Sequence, residues 1–174
     1  AYDYYSGSLQ YGNSNWKSNS ISTGPVVSAK ARYLRSLLAA YEHPEKFIMN
    51  TEAGLICGFP DGSPECKSAE YEQTKVIYIA EVYAAALAEK LRANIWYSLT
   101  GWRGTGLIND RGEKLPAFQA FQTSARQLDG ARYVRMISDI PGLRGYELER
   151  GSNRIQIIWS IDEQEHAFPL NKKP

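Results

Sequence analysis

Residues 46–54 read Lys46-Phe47-Ile48-Met49-Asn50-Thr51-Glu52-Ala53-Gly54, a short apolar run that stops at a carboxylate and turns at once into Ala-Gly. An apolar run of this length, bounded by turn residues, reads as a strand from Lys46 to Thr51. Parallel α/β barrels present catalytic groups in this way, at the carboxyl ends of strands where loops begin. Most glutamates that follow a strand are solvated surface groups. The surroundings of Glu52 decide whether it is more than that.

Upstream, Ala1 to Tyr5 reads as the end of a strand, and Ser6 to Gly24 as a long polar loop that contains Trp16. Thr23 or Ser22 with Pro25 makes a helix start, and Val27, Ala31, Leu34, Leu38 and Tyr41 recur at helical spacing until His43-Pro44 ends the run. Downstream, a second loop from Gly54 to Ser68 carries both cysteines. A long helix then spans about Ser68 to Arg92, with Val76, Ala80, Tyr83, Leu87 and Leu91 predicted as its buried stripe. Asn94 to Leu99 reads as another strand, followed by a loop with Trp102. Pro116 starts a third helix in which Ala117, Phe121, Ser124 and Leu128 share a face, and Asp129-Gly130 closes it.

Strand and helix alternate three times, the pattern of a parallel sheet covered by helices. After Ala131 the pattern changes. Tyr133 to Ser138, Arg144 to Glu149, Arg154 to Ser160 and Glu165 to Leu170 are short strand-like runs, and Ile155, Ile157 and Trp159 alternate on one face. These predict a small antiparallel β-sheet over 131–174, appended to an α/β segment over 1–130.

The 174 residues are enough to bury a real core, and a net charge of +1 with Lys and Arg scattered among Asp and Glu argues against nucleic acid or an anionic membrane surface as partner. No stretch approaches the apolar length that crosses a bilayer. The chain opens inside AYDYYSG without Met, cap or turn, which reads as a truncated, proteolytic or processed start. Aromatic residues are abundant, with 12 Tyr and 4 Trp, many in Gly/Ser/Asn-rich segments. Rings in loops bind flat apolar faces such as those of sugars, although Tyr and Trp also cover core edges with their polar ends wet.

The order of a Tyr-rich strand end, a helix, Thr51-Glu52-Ala53-Gly54, a long helix, IWYSLTGW over 95–102 and GLINDRGEKLPAFQAF over 106–121 resembles the last third of a retaining (β/α)8-barrel glycoside hydrolase. The resemblance is to the clan whose two catalytic glutamates end strands four and seven, and it covers roughly residues 1–129. It implies a partial TIM barrel made of the last three βα units. It also implies Glu52 as the catalytic nucleophile, which attacks the anomeric carbon and forms a glycosyl-enzyme. Tyr5 matches a tyrosine that orients the nucleophile, while Asp3 stands where the clan's pattern has a histidine. Trp96 matches a sugar-stacking tryptophan, and Trp102, Tyr4 and Trp16 are further substrate-binding candidates. The clan's acid/base sits in an Asn-Glu pair on strand four, and no Asn-Glu dipeptide occurs here. Asp61, Glu65 and Glu70 are acidic residues of the second loop, whose polarity alone accounts for them. The chain is then expected to be the C-terminal fragment of a hydrolase, inactive without its missing half.

Cys57 and Cys66 face each other across the second loop and are a disulfide candidate, with two half-buried thiols as the alternative. No His pair accompanies them, so neither metal nor cofactor is expected. A bridge and a polysaccharide substrate both favour an extracellular or periplasmic location. The expected partner is an oligo- or polysaccharide. The open sheet edge calls for the missing N-terminal barrel part or for self-association to cover it. A noncatalytic carbohydrate-binding or scaffold protein is the alternative to the hydrolase.

Overall fold

A computed structural model describes residues 1–5, 24–60, 62–162 and 164–169. The expected loop 6–24 with Trp16, Asp61 and the end of the last expected strand lie wholly or mainly outside the described residues.

Three strands, β1 (Tyr2–Tyr4), β2 (Asn50–Ile56) and β3 (Asn94–Trp96), make a parallel sheet in the order β1-β2-β3. Helices α1 (Val26–Ala40), α2 (Ala69–Ala88) and α3 (Pro116–Leu128) follow the three strands in turn. Strands β4 (Arg132–Ile137), β5 (Leu143–Arg150) and β6 (Asn153–Ser160) form a separate antiparallel sheet in the order β4-β5-β6.

The expected partial TIM barrel is therefore corrected: the chain is a small α/β protein with two three-stranded sheets and three helices among the described residues. Two of the parallel strands are only three residues long, and their pairing is staggered along β2. Strand β1 meets Gly54 to Ile56, whereas β3 meets Asn50 and Ala53. Among the described residues the result is a short open sheet with two edges. From the antiparallel sheet, Tyr146, Leu148 and Trp159 share one buried cluster with Ala53, Tyr78, Val82 and Trp96.

Helix α2 runs through the middle of that cluster, which explains a second correction. Its buried residues include Tyr71, Lys75, Tyr78, Ile79, Val82 and Ala85, not the predicted stripe through Val76, Ala80, Tyr83, Leu87 and Leu91. Neighbours pack on several sides of α2, so apolar residues occur nearly all round it and no single period is privileged. Its start is well marked: Ser68 is the N-cap, and its Oγ accepts from the Tyr71 backbone N–H at 3.1 Å.

In α1, Val27 and Ala31 are buried as predicted, but Leu34 is 44% and Tyr41 74% exposed. The C-terminal half of its apolar stripe faces outward. No strand occurs among residues 164–169, where one was expected. No helix among the described residues is long and apolar enough to cross a membrane.

Candidate functional site

Strand β2 starts four residues later than the apolar run predicts. Phe47, Ile48 and Met49 precede it as irregular chain, and pairing continues through Ala53-Gly54-Leu55-Ile56. Glu52 consequently lies inside the strand, and Ala53-Gly54 is strand, not turn. Gly54 is there for space: a Cβ would stand 3.0 Å from the Tyr97 carbonyl oxygen and 3.3 Å from the Tyr2 ring.

Side chains alternate across a strand. In β1 this sends Asp3 toward the helices and puts Tyr2 and Tyr4 on the other face. In β3 it separates buried Trp96 from its exposed neighbours Ile95 and Tyr97. Glu52 lies on the face of Tyr2 and Tyr97, which the helices leave open. The Tyr2 hydroxyl donates to Glu52 Oε2 at 2.5 Å. Among the described residues it is the only side chain that hydrogen-bonds Glu52. Burial first, and the bond to Glu52 second, hold the Tyr2 phenol well above its ordinary range, so it remains a donor at neutral pH.

Three rings gather beside this pair. Tyr2 lies 6.4 Å from Tyr97 and 6.0 Å from Trp102, and Tyr97 lies 6.1 Å from Trp102. All three contacts are tilted or edge-on. Trp102 is 42% exposed.

Two sequence candidates lie elsewhere. Trp96 is 8% exposed, packs 6.1 Å from Tyr78 and donates its indole N–H to the Thr105 carbonyl. It belongs to the helix-covered side, one position out of phase with the open face. Tyr5 lies beyond the end of β1, with its ring 5.1 Å from Tyr71. Burial and a hydrogen bond to Glu70 raise its pKa. The hydroxyl bonded to Glu52 is thus that of Tyr2 and not of Tyr5. Tyr4 shares the face of Tyr2 by alternation, and Trp16 lies outside the described residues.

Asp3, which stands where the resemblance has a histidine, is turned toward α1 and α2. Its carboxylate accepts from the Val26 backbone N–H, at the first turn of α1, and from the Tyr78 hydroxyl at 2.8 Å. A buried anion at a helix N-terminus satisfies an orphan donor and opposes the helix dipole.

Cys57, directly after β2, is joined to Cys66 in the short 3-10 turn Pro64–Lys67 by a disulfide. The bridge ties the second loop to the sheet. Next to it a cleft of about 690 Å³ opens between Lys67 and the start of α2 on one side and the Trp102–Gly106 loop on the other. Its floor is Lys75, a buried cation that donates to the carbonyls of Gly104 at 2.9 Å and Gly106 at 2.8 Å and pairs with Glu72 at 2.8 Å. Glu72 also accepts the Ala117 backbone N–H, which closes the polar group on itself. No group of three His, Cys, Asp or Glu that could hold a metal occurs among the described residues.

Sequence reasoning placed Glu52 and Trp102 together but missed Tyr2 and Tyr97. The period-two pattern Tyr2-Asp3-Tyr4 and Trp96-Tyr97 was the available signal, once the strands are placed. No protein-family model, curated protein or solved structure matches this chain.

Proposed function

We propose that this chain carries the nucleophile side of a retaining glycoside hydrolase site, with Glu52 as the nucleophile and Tyr2 as its positioning residue. The observation that carries the reading is the 2.5 Å bond from the Tyr2 hydroxyl to Glu52, made beside the Tyr2–Tyr97–Trp102 ring group. A nucleophilic carboxylate has one oxygen held and the other left to attack the anomeric carbon, and flat rings suit the apolar faces of a sugar. The resulting glycosyl-enzyme is then released by water.

Retaining hydrolysis needs a second carboxyl group about 5 Å away, which protonates the leaving oxygen. The described acids near this region have other tasks: Asp3 caps α1, Glu72 pairs with Lys75, and Glu70 takes the Tyr5 hydroxyl. In this proposal the acid/base comes from outside the described residues. The disulfide supports an extracellular or periplasmic location.

The test exploits that asymmetry. A 2-deoxy-2-fluoro glycoside with a dinitrophenolate leaving group needs no protonation to react, so a panel of such sugars should add one glycosyl mass to the peptide containing Glu52. The Glu52→Gln chain should take up none. Absence of labelling by every sugar, with neutral oligosaccharides still bound, would replace the hydrolase by a noncatalytic carbohydrate-binding protein. The lack of a second carboxyl group beside Glu52 among the described residues favours that alternative.

A further inference from the structure

We propose that the cleft beside Trp102 is a subsite for an acidic sugar, a hexuronate unit of the same glycan that reaches Glu52; this rests on the carbohydrate reading above. The two places share one wall. The Trp102 ring lies 6.0 Å from Tyr2 on the Glu52 side and also lines the cleft. At about 690 Å³ the cleft falls within the size range of small-molecule sites.

The charges of the cleft decide which sugar fits. Lys75 and Glu72 neutralise each other and spend their hydrogen bonds on Gly104, Gly106 and Ala117. Two cations remain, Lys67 and Arg103, and among the described residues neither forms an ion pair with a carboxylate. Asp110 is the one other acid among the described residues of the lining. Among the described residues of the lining the uncommitted balance is one positive charge.

The backbones of both residues are tied to the same bridge. The Cys57 backbone N–H donates to the Arg103 carbonyl at 3.0 Å, and the disulfide links Cys57 to Cys66, the neighbour of Lys67. The Arg103 guanidinium lies 5.6 Å from the Trp102 ring centroid. The guanidinium lies over one face of that ring, and its planar fork can bond both oxygens of a carboxylate on a sugar that reaches the Trp102 edge. A neutral hexose would use the ring and leave the two cations unanswered.

The experiment compares oligosaccharides of glucuronate and galacturonate with their methyl esters, which keep the shape and remove the charge. Titration calorimetry on the 174-residue chain carrying Glu52→Gln should find an acid bound at least about tenfold more tightly than its ester at low salt, as one charge-assisted contact implies. The ratio should fall toward one with Arg103→Gln, fall partly with Lys67→Ala, and recover in part with Arg103→Lys. Ester binding that persists in these variants shows that they are folded. Equal binding of acid and ester by the parent chain overturns the acidic subsite and leaves the carbohydrate reading standing. Labelling of Glu52 without binding of any uronate likewise refutes the subsite alone. Failure of all sugars in both experiments refutes both.

Discussion

Glu81 gives the sharpest physical prediction in the molecule. It sits on α2 at 1% exposure, and among the described residues neither of its carboxylate oxygens has a hydrogen-bond partner. Burial, and secondarily the charge of Asp3, pushes its pKa from the ordinary 4.5 up to about 9. The folded protein therefore keeps this proton at neutral pH, whereas the unfolded chain gives it up. With a folded value raised above the unfolded one, stability is fully present below the lower pKa and is lost progressively as pH rises toward the higher. Each pH unit inside that window costs about 1.4 kcal/mol, so moving from about pH 5 to about pH 8 removes about 4 kcal/mol. Glu81→Gln has nearly the same shape and does not titrate. Urea denaturation of both chains across this range should find a stability difference that grows in favour of glutamine by about that amount, and flattens below about pH 4. Taking the difference cancels every titrating group that the two chains share. A difference that stays constant with pH would refute the reasoning, since it would mean that Glu81 ionises alike in both states.

Three further outcomes follow from named contacts. Tyr78→Phe removes one of the donors to buried Asp3 and should cost about 1–2 kcal/mol in denaturation, whereas no loss would mean that the bond is replaced. Reducing Cys57–Cys66, or replacing Cys66 by serine, should cost about 2–3 kcal/mol for a loop this short, read as a lower thermal midpoint; an unchanged midpoint would mean that the bridge does not constrain the unfolded chain. Leu34→Gln on the exposed half of α1 should stay within about 0.5 kcal/mol of the parent, while Ile79→Ala in the core should cost about 2–5 kcal/mol; equal effects would contradict the burial described here.

How much of this was legible in the sequence depended on which element carried the signal. Helix α3 was clear, because Pro116 marks its start, and Ala117, Ser124 and Leu128 keep one face buried. The antiparallel sheet was legible for a similar reason, since Pro-Gly and Gly-Ser-Asn punctuate it and Ile155, Ile157 and Trp159 alternate. Strand β2 was misplaced because Phe47, Ile48 and Met49 are as apolar as the strand itself, while the residues that pair best include a glycine. Nothing local says that Gly54 belongs in a strand: its reason is the Tyr2 ring and the Tyr97 carbonyl, which lie far away in sequence. The same non-local logic governs the site. A shift of one position along β1 or β3 exchanges the open face for the helix-covered face. Tyr2 and Tyr97 therefore reach the Glu52 surface, while Trp96, one residue before Tyr97, becomes core. A short strand thus specifies which residues reach its open face through register, and register is set by partners that the strand's own few residues do not encode.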